Sequence, residues 1–247
     1  MKEMNFCISE RAENFNNINY LFKTCQAQIF ALGGEVVTKV GDGRAYFLAK
    51  VPDGCEEIIT AIILDKVSDV IAINYKYNYF KKQIRTLGLN EFEYELLLAS
   101  LISADLKEDK RYVLKRQKTI DNLPIDALFN FQLGALKDKW AEVVGYIPTY
   151  FSTEKLCEFI NYIVNEKPNK CIRVVNGRVY DANNTLQLKG ELMGYVEHGA
   201  ITRELILSDT CRVFLDTKLT DIDQKYLARF FGDKIFFKKG LMPIKKS

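Results

Sequence analysis

Glu35-Val36-Val37-Thr38-Lys39-Val40-Gly41-Asp42-Gly43-Arg44-Ala45-Tyr46-Phe47-Leu48-Ala49-Lys50-Val51 holds two β-prone runs, Glu35–Val40 and Arg44–Val51, around a Gly-Asp-Gly tripeptide. An Asp-Gly pair between such runs predicts a hairpin. A type I′ turn needs positive φ at both central residues, which Asp and Gly tolerate. Pro52-Asp53-Gly54 ends the hairpin, and Glu56 and Glu57 favour a helix beginning near Cys55 by complementing its N-terminal dipole. Upstream, Met4–Ser9 reads as a short strand. Phe15, Ile18, Phe22, Cys25, Ile29 and Leu32 then repeat at helical spacing until Gly33-Gly34 stops them. The opening therefore predicts an α+β unit with an antiparallel hairpin over residues 1–88.

Residues 89–168 predict a helical middle. Asn90-x-x-Glu93 has the form of a capping box, with a helix following to about Ser103. Asn122-Leu123-Pro124 introduces a second helix, with the proline near its first turn. Its stripe runs Ile125, Phe129, Leu133, Leu136, Trp140, Val143, Ile147 until Pro148 ends it. Trp140 belongs to this stripe and is expected in the core. Ser152 or Thr153 caps a third helix, with Leu156, Phe159, Ile160 and Ile163 facing inward.

From residue 169 the period changes. Cys171–Val175 is a strand that turns at Asn176-Gly177 into Arg178–Asp181. Ile201–Leu207 is a helix, Cys211–Leu215 a strand, Asp221–Phe231 a helix and Lys234–Phe237 a closing strand. Alternation of this kind predicts a partly parallel sheet in a small α/β unit over 169–247. The fold class is α+β: an N-terminal strand–helix–hairpin unit, a helical middle and a small C-terminal α/β sheet.

Composition narrows the chemistry. The chain has 247 residues, 48% hydrophobic and 27% charged, enough to build a core. A net charge of +3 is too small to argue for nucleic acid or anionic lipid. Neither a signal peptide nor an apolar run of about 20 residues is present, which predicts a cytoplasmic location without a transmembrane segment. The six cysteines, Cys7, Cys25, Cys55, Cys157, Cys171 and Cys211, contain no C-x-x-C pair and are expected as small buried hydrophobes. His198 is the only histidine, so a two-histidine metal site or relay within the chain is ruled out. It lies in Val196-Glu197-His198-Gly199-Ala200, an expected exposed loop.

Gly41-x-Gly43 sits in a hairpin, not between a strand and a helix, so it is no phosphate loop. Asp121 with Asp126, and Asp221 with Asp223, fit helix starts better than shared acid–base work. No cofactor site and no catalytic set emerge, and the chain is expected not to be an enzyme. The alternative is an enzyme with a small-ligand pocket in the C-terminal α/β unit, at Asp216 and Thr217 just beyond the carboxyl end of a predicted strand.

Two segments are candidates for binding. Tyr75, Lys76, Tyr77, Tyr79, Lys81, Lys82 and Arg85 interleave aromatics with cations, a pattern that stacks bases or meets a membrane surface, or simply ends an amphipathic helix. Lys107, Lys110, Arg111, Lys115, Arg116 and Lys118 form a basic run, partly offset by Asp105, Glu108 and Asp109. Together they could make one positive surface for a protein partner or a nucleic acid.

Leu123-Pro124-Ile125-Asp126-Ala127-Leu128-Phe129-Asn130-Phe131-Gln132-Leu133, then Thr153-Glu154-Lys155-Leu156-Cys157-Glu158-Phe159-Ile160, and finally Phe230-Phe231-Gly232-Asp233-Lys234-Ile235 are similar, in order and spacing, to the YtxC family of sporulation proteins of spore-forming Firmicutes. The similarity covers roughly residues 55–240. Gln132 stands where the family pattern has arginine, and Gly134 where it has a basic residue. The tail Phe237-Lys238-Lys239-Gly240-Leu241-Met242 lacks the pattern's cysteine, so no metal or redox role is carried over. The resemblance implies an association with sporulation and no established reaction.

Overall fold

The computed structural model describes residues 4–117, 122–196 and 198–238. In chain order the elements are β1 (Met4–Arg11), α1 (Phe15–Ala31), β2 (Glu35–Gly41), β3 (Arg44–Val51), α2 (Glu56–Asp69), a π-helical turn (Val70–Tyr75), α3 (Lys76–Gln83), α4 (Glu91–Arg116), β4 (Asn122–Pro124), α5 (Ile125–Gln132), α6 (Gly134–Tyr146), α7 (Thr153–Glu166), β5 (Cys171–Val175), β6 (Arg178–Tyr180), α8 (Ala200–Leu207), β7 (Arg212–Asp216), α9 (Asp221–Phe231) and β8 (Ile235–Phe237). The architecture is mixed α+β, with a sheet near each end of the chain and helices between them.

The chain divides into two compact units. One comprises Met1–Tyr79 with Leu106–Gly145, the other Phe80–Asp105 with Tyr146–Ser247. By element type the expected segments are 1–88, 89–168 and 169–247. The observed boundaries fall inside α3, inside α4 and at the end of α6. A helix pattern reports a local face and carries no mark of which unit each turn packs into.

The first unit has a sheet in the order β2-β3-β1-β4. β1–β3 and β2–β3 are antiparallel and β1–β4 is parallel. Asp42 and Gly43 take φ of 53° and 71°, the two positive angles a type I′ turn requires. Alternation buries Phe6, Ile8 and Glu10 of β1, with Ala45, Phe47, Ala49 and Val51 of β3, on one face. Ile18, Leu21, Cys25 and Ile29 of α1 are buried, and α1 packs against β1, β2 and β3. Each such large apolar side chain stabilises the fold by about 1.5–3 kcal/mol.

Glu10 is the exception on this face. It is fully buried, and its carboxylate accepts from the Tyr75 hydroxyl at 2.6 Å, the Arg11 backbone N–H at 2.8 Å and Asn17 Nδ2 at 3.4 Å. The π-helical turn carries both Tyr75 and Asn74, and Asn74 accepts from Asn17 at 3.1 Å.

Three helical expectations change. The stripe from Ile125 to Ile147 is two helices, because Leu133 leaves the helical region (φ −113°, ψ 34°) while its side chain stays fully buried. Asn122–Pro124 is a strand beside β1, not the first turn of a helix. The helix expected to end near Ser103 runs on to Arg116. The Asn90–Glu93 box is reciprocated: the Glu93 N–H donates to Asn90 Oδ1 at 2.9 Å and the Asn90 N–H to Glu93 Oε2 at 3.2 Å.

The second unit has a sheet in the order β6-β5-β7-β8, antiparallel at β5–β6 and parallel at β5–β7 and β7–β8. Asn176 and Gly177 make the β5–β6 turn with φ of 50° and 72°. Ile172, Val174, Val213 and Leu215 fill its core, and α7 packs against α9. Ser152 caps α7 by accepting from the Lys155 N–H, and Thr220 caps α9 by accepting from the Asp223 N–H.

No helix of the described residues is long and apolar enough to cross a membrane. All six cysteines are free. Cys25 and Cys211 are buried as expected, Cys7, Cys55 and Cys157 are half-buried, and Cys171 is exposed.

Candidate functional site

The aromatic-basic segment divides between inside and outside. In the first unit Tyr75 is half-buried, its ring 4.5 Å from that of Phe129. Burial and the neighbouring Glu10 raise its hydroxyl's pKa. Lys76 is fully buried: its Nζ lies 2.7 Å from Asp109 Oδ2, which also accepts from Trp140 Nε1 at 3.0 Å. Tyr77 is buried, and the half-buried Tyr79 ring lies 5.9 Å from Trp140. Lys76 and Tyr77 thus belong to the core and not to a binding surface. Burying an ammonium is tolerable only beside a counter-charge, and Asp109, 33 residues away, supplies it.

The basic run divides in the same way. Lys110 Nζ lies 2.7 Å from Asp69 Oδ1 and 2.8 Å from Asp65 Oδ1. Burial would raise the Asp65 pKa, but Lys110 and Lys66 outweigh it and hold it at about 2. Arg111, Lys115 and Arg116 are exposed, with the Arg116 guanidinium 5.3 Å from the Tyr112 ring centre. Lys118 and Asp121 lie outside the described residues. Asp126 serves the first unit's sheet, accepting from Arg44 at 2.7 Å.

The second unit holds the rest of the segment. Lys81 is exposed and paired with Glu95 at 3.1 Å, while Lys82 and Arg85 are exposed. Lys81 and Arg85 line a recess of about 320 Å³ built by the loop from α3 to α4. Ile84, Leu89 and Tyr94 form its apolar wall, and Thr86, Asn90 and Glu91 add polar groups.

Local chemistry shapes that loop. The Tyr94 hydroxyl donates to the Ile84 carbonyl at 3.0 Å, tying the loop to the first turn of α4. Leu87 donates to Thr149 and accepts from Phe151, each at 2.8 Å. Gly88 has φ +93°, and a Cβ there would come within 2.7 Å of the Phe151 carbonyl oxygen and the Tyr150 ring. Two polar groups in the recess wall stand out among the described residues. Arg85 has no carboxylate within ion-pair distance, and the Thr86 hydroxyl is buried without a hydrogen-bond partner. A buried hydroxyl without a partner costs about 1–3 kcal/mol.

This arrangement suits a small oxyanion on the Arg85 fork, with an apolar body against Ile84, Leu89 and Tyr94. The sequence pattern found Lys81 and Arg85 but missed Thr86, Leu89, Asn90 and Tyr94. The Asn90–Glu93 box and Gly88 were the available signals, since together they fix a tight turn at a helix start.

Other ionisable groups are occupied by architecture. Glu93 accepts from the Thr153 and Tyr226 hydroxyls at 3.0 and 2.9 Å. Asp223 accepts from the backbone and hydroxyl of Thr202. Glu204 is buried, and burial raises its pKa although the Lys189 and Gly190 N–H groups point at it. Asp216, expected at a ligand position, pairs with Lys238 at 2.9 Å. His198 is exposed in the segment before α8, as expected. The described residues contain no cluster of three histidine, cysteine, aspartate or glutamate side chains placed to hold a metal ion. No family model, curated protein or solved structure matches the chain.

Proposed function

We propose that this is a non-enzymatic, sporulation-associated protein that acts by binding a protein partner through the α3–α4 loop of its second unit. The observation that carries the reading is the exposed Arg85, which has no carboxylate partner among the described residues and lines the recess beside Leu89 and Tyr94. An acidic side chain of the partner would engage the guanidinium in a bidentate bond, and its neighbours would cover the half-buried Leu89 and Tyr94. The sporulation association rests on the three stretches that resemble the YtxC family.

Gene deletion in a spore-forming host, with complementation, tests both halves. Deletion lowers the count of heat-resistant spores, the wild-type gene restores it, and Arg85→Glu fails to restore it although the variant melts at the wild-type temperature. Normal spore counts after deletion would remove the sporulation reading. Full rescue by Arg85→Glu would remove the loop from it.

Nucleic-acid binding is a second reading, supported by Arg111, Lys115 and Arg116 exposed on the last turns of α4. Three phosphate contacts would give a slope of about −2.7 in log K against log salt. Absence of binding at low salt removes this reading.

A further inference from the structure

β2 is the edge strand of the first unit's sheet, paired to β3 on one side only. Among the described residues, residues 35–41 make no backbone hydrogen bond outside that pairing. The strand is also exposed along most of its length: Glu35, Val37, Thr38, Lys39 and Val40 are open to solvent, with Val37 at 56% and Val40 at 58%. Edge strands present unpaired donors and acceptors, and proteins blunt them or use them for pairing.

The sequence of this edge is complementary to itself in one register. Laid antiparallel on a second copy with Val37 at the two-fold axis, Glu35 of each copy faces Lys39 of the other. Val37 meets Val37, Thr38 meets Val36, and Val40 lies over Gly34. Glu35, Val37 and Lys39 share one face of the strand, so both charge pairs and the central valine contact lie together. Neither Glu35 nor Lys39 has an ion-pair partner among the described residues, which leaves both charges available. Shifting one chain by two residues breaks both charge pairs and sets Val37 against Glu35 or Lys39.

We propose that β2 pairs antiparallel with β2 of a second copy, making a symmetric dimer with a continuous eight-stranded sheet centred on Val37. The interface is isologous, as a two-fold contact requires. It is independent of the α3–α4 loop.

Charge exchange tests the pairing. Sedimentation equilibrium of the full chain across a hundredfold concentration range should show a reversible dimer. Lys39→Glu places two acids opposite each other at both ends of the pairing, and Glu35→Lys places two lysines there. Each should raise the dissociation constant about tenfold or more. The double variant Glu35→Lys with Lys39→Glu restores opposite charges in the same register and should return the constant to within about threefold of wild type. Far-UV circular dichroism confirms that each variant is folded, which the exposed positions favour. A wild-type chain that stays monomeric throughout overturns the proposal. So does a dimer insensitive to the single reversals, or one that the double exchange does not restore.

Discussion

The buried pair Lys76–Asp109 gives a prediction in which the two halves of one ion pair have unequal effects. Lys76 is 0% exposed and Asp109 1%, with 2.7 Å between Nζ and Oδ2. Asp109 has other support: Trp140 Nε1 donates at 3.0 Å and Lys139 Nζ at 3.1 Å. In Lys76→Met the carboxylate keeps those two donors, and the new side chain keeps most of the buried alkyl stem. The cost is about one hydrogen bond to a charged group, ~2 kcal/mol. In Asp109→Asn the buried ammonium loses its counter-charge and Lys139 loses an ionic partner. Removing one member of a buried pair costs about 3–5 kcal/mol, and this substitution belongs at the upper end. The double variant should cost less than the sum of the singles by about 2 kcal/mol, since the uncompensated charge is gone.

Trp140 is the only tryptophan, is fully buried and touches Asp109, so its fluorescence in a urea titration reports this unit. At roughly 2 kcal/mol per molar urea, Asp109→Asn should lower the midpoint by about 2 M and Lys76→Met by about 1 M. A loss for Lys76→Met equal to or larger than that for Asp109→Asn would refute the reasoning. So would additive single effects.

Three further outcomes follow from the second unit. Asn90→Ala removes one arm of the box that starts α4 and should cost about 1 kcal/mol by chemical denaturation followed by circular dichroism; a change under about 0.3 kcal/mol would show the cap is idle. Gly88→Ala forces a side chain into a positive-φ position against the Phe151 carbonyl and should cost about 2–4 kcal/mol, and a neutral effect would contradict the turn geometry. Lys167, held by the Ile206 carbonyl, has its pKa lowered to about 7 by burial first and by Lys189 second. The unfolded chain binds this proton up to a pH near 10.5, so the penalty is full below 7 and is relieved as pH rises from 7 towards 10.5. Wild-type melting temperature should therefore rise relative to Lys167→Met across that window, and parallel pH profiles would show that Lys167 keeps its proton.

What the sequence disclosed was local. Asp42-Gly43 carried its own turn, Asn90 and Glu93 their own cap, and Asp221–Phe231 its own start and stop, because each rests on contacts within a few residues. The misreadings needed distant partners. Leu133 leaves the helix while its side chain stays buried, and Asn122–Pro124 extends because β1 offers it an edge. Nothing in Val70–Tyr75 announces a π-helical turn, although that turn carries the Tyr75 and Asn74 side chains that bond to Glu10 and Asn17.

The cations show the same limit most clearly, and it bears on function. Lys76, Lys81, Lys82 and Arg85 look alike in a sequence. The fold gives Lys76 to Asp109 and Lys81 to Glu95, and leaves Lys82 and Arg85 exposed. A charge can serve a partner molecule only if folding has not already matched it, and that matching is decided by acids 14 and 33 residues away. Charge density along the chain therefore overstates a binding surface wherever the nearby helices are acidic. Arg85 escapes this discount: it lines the recess with Glu91 of α4, yet no carboxylate of the described residues comes within ion-pair distance of its exposed guanidinium.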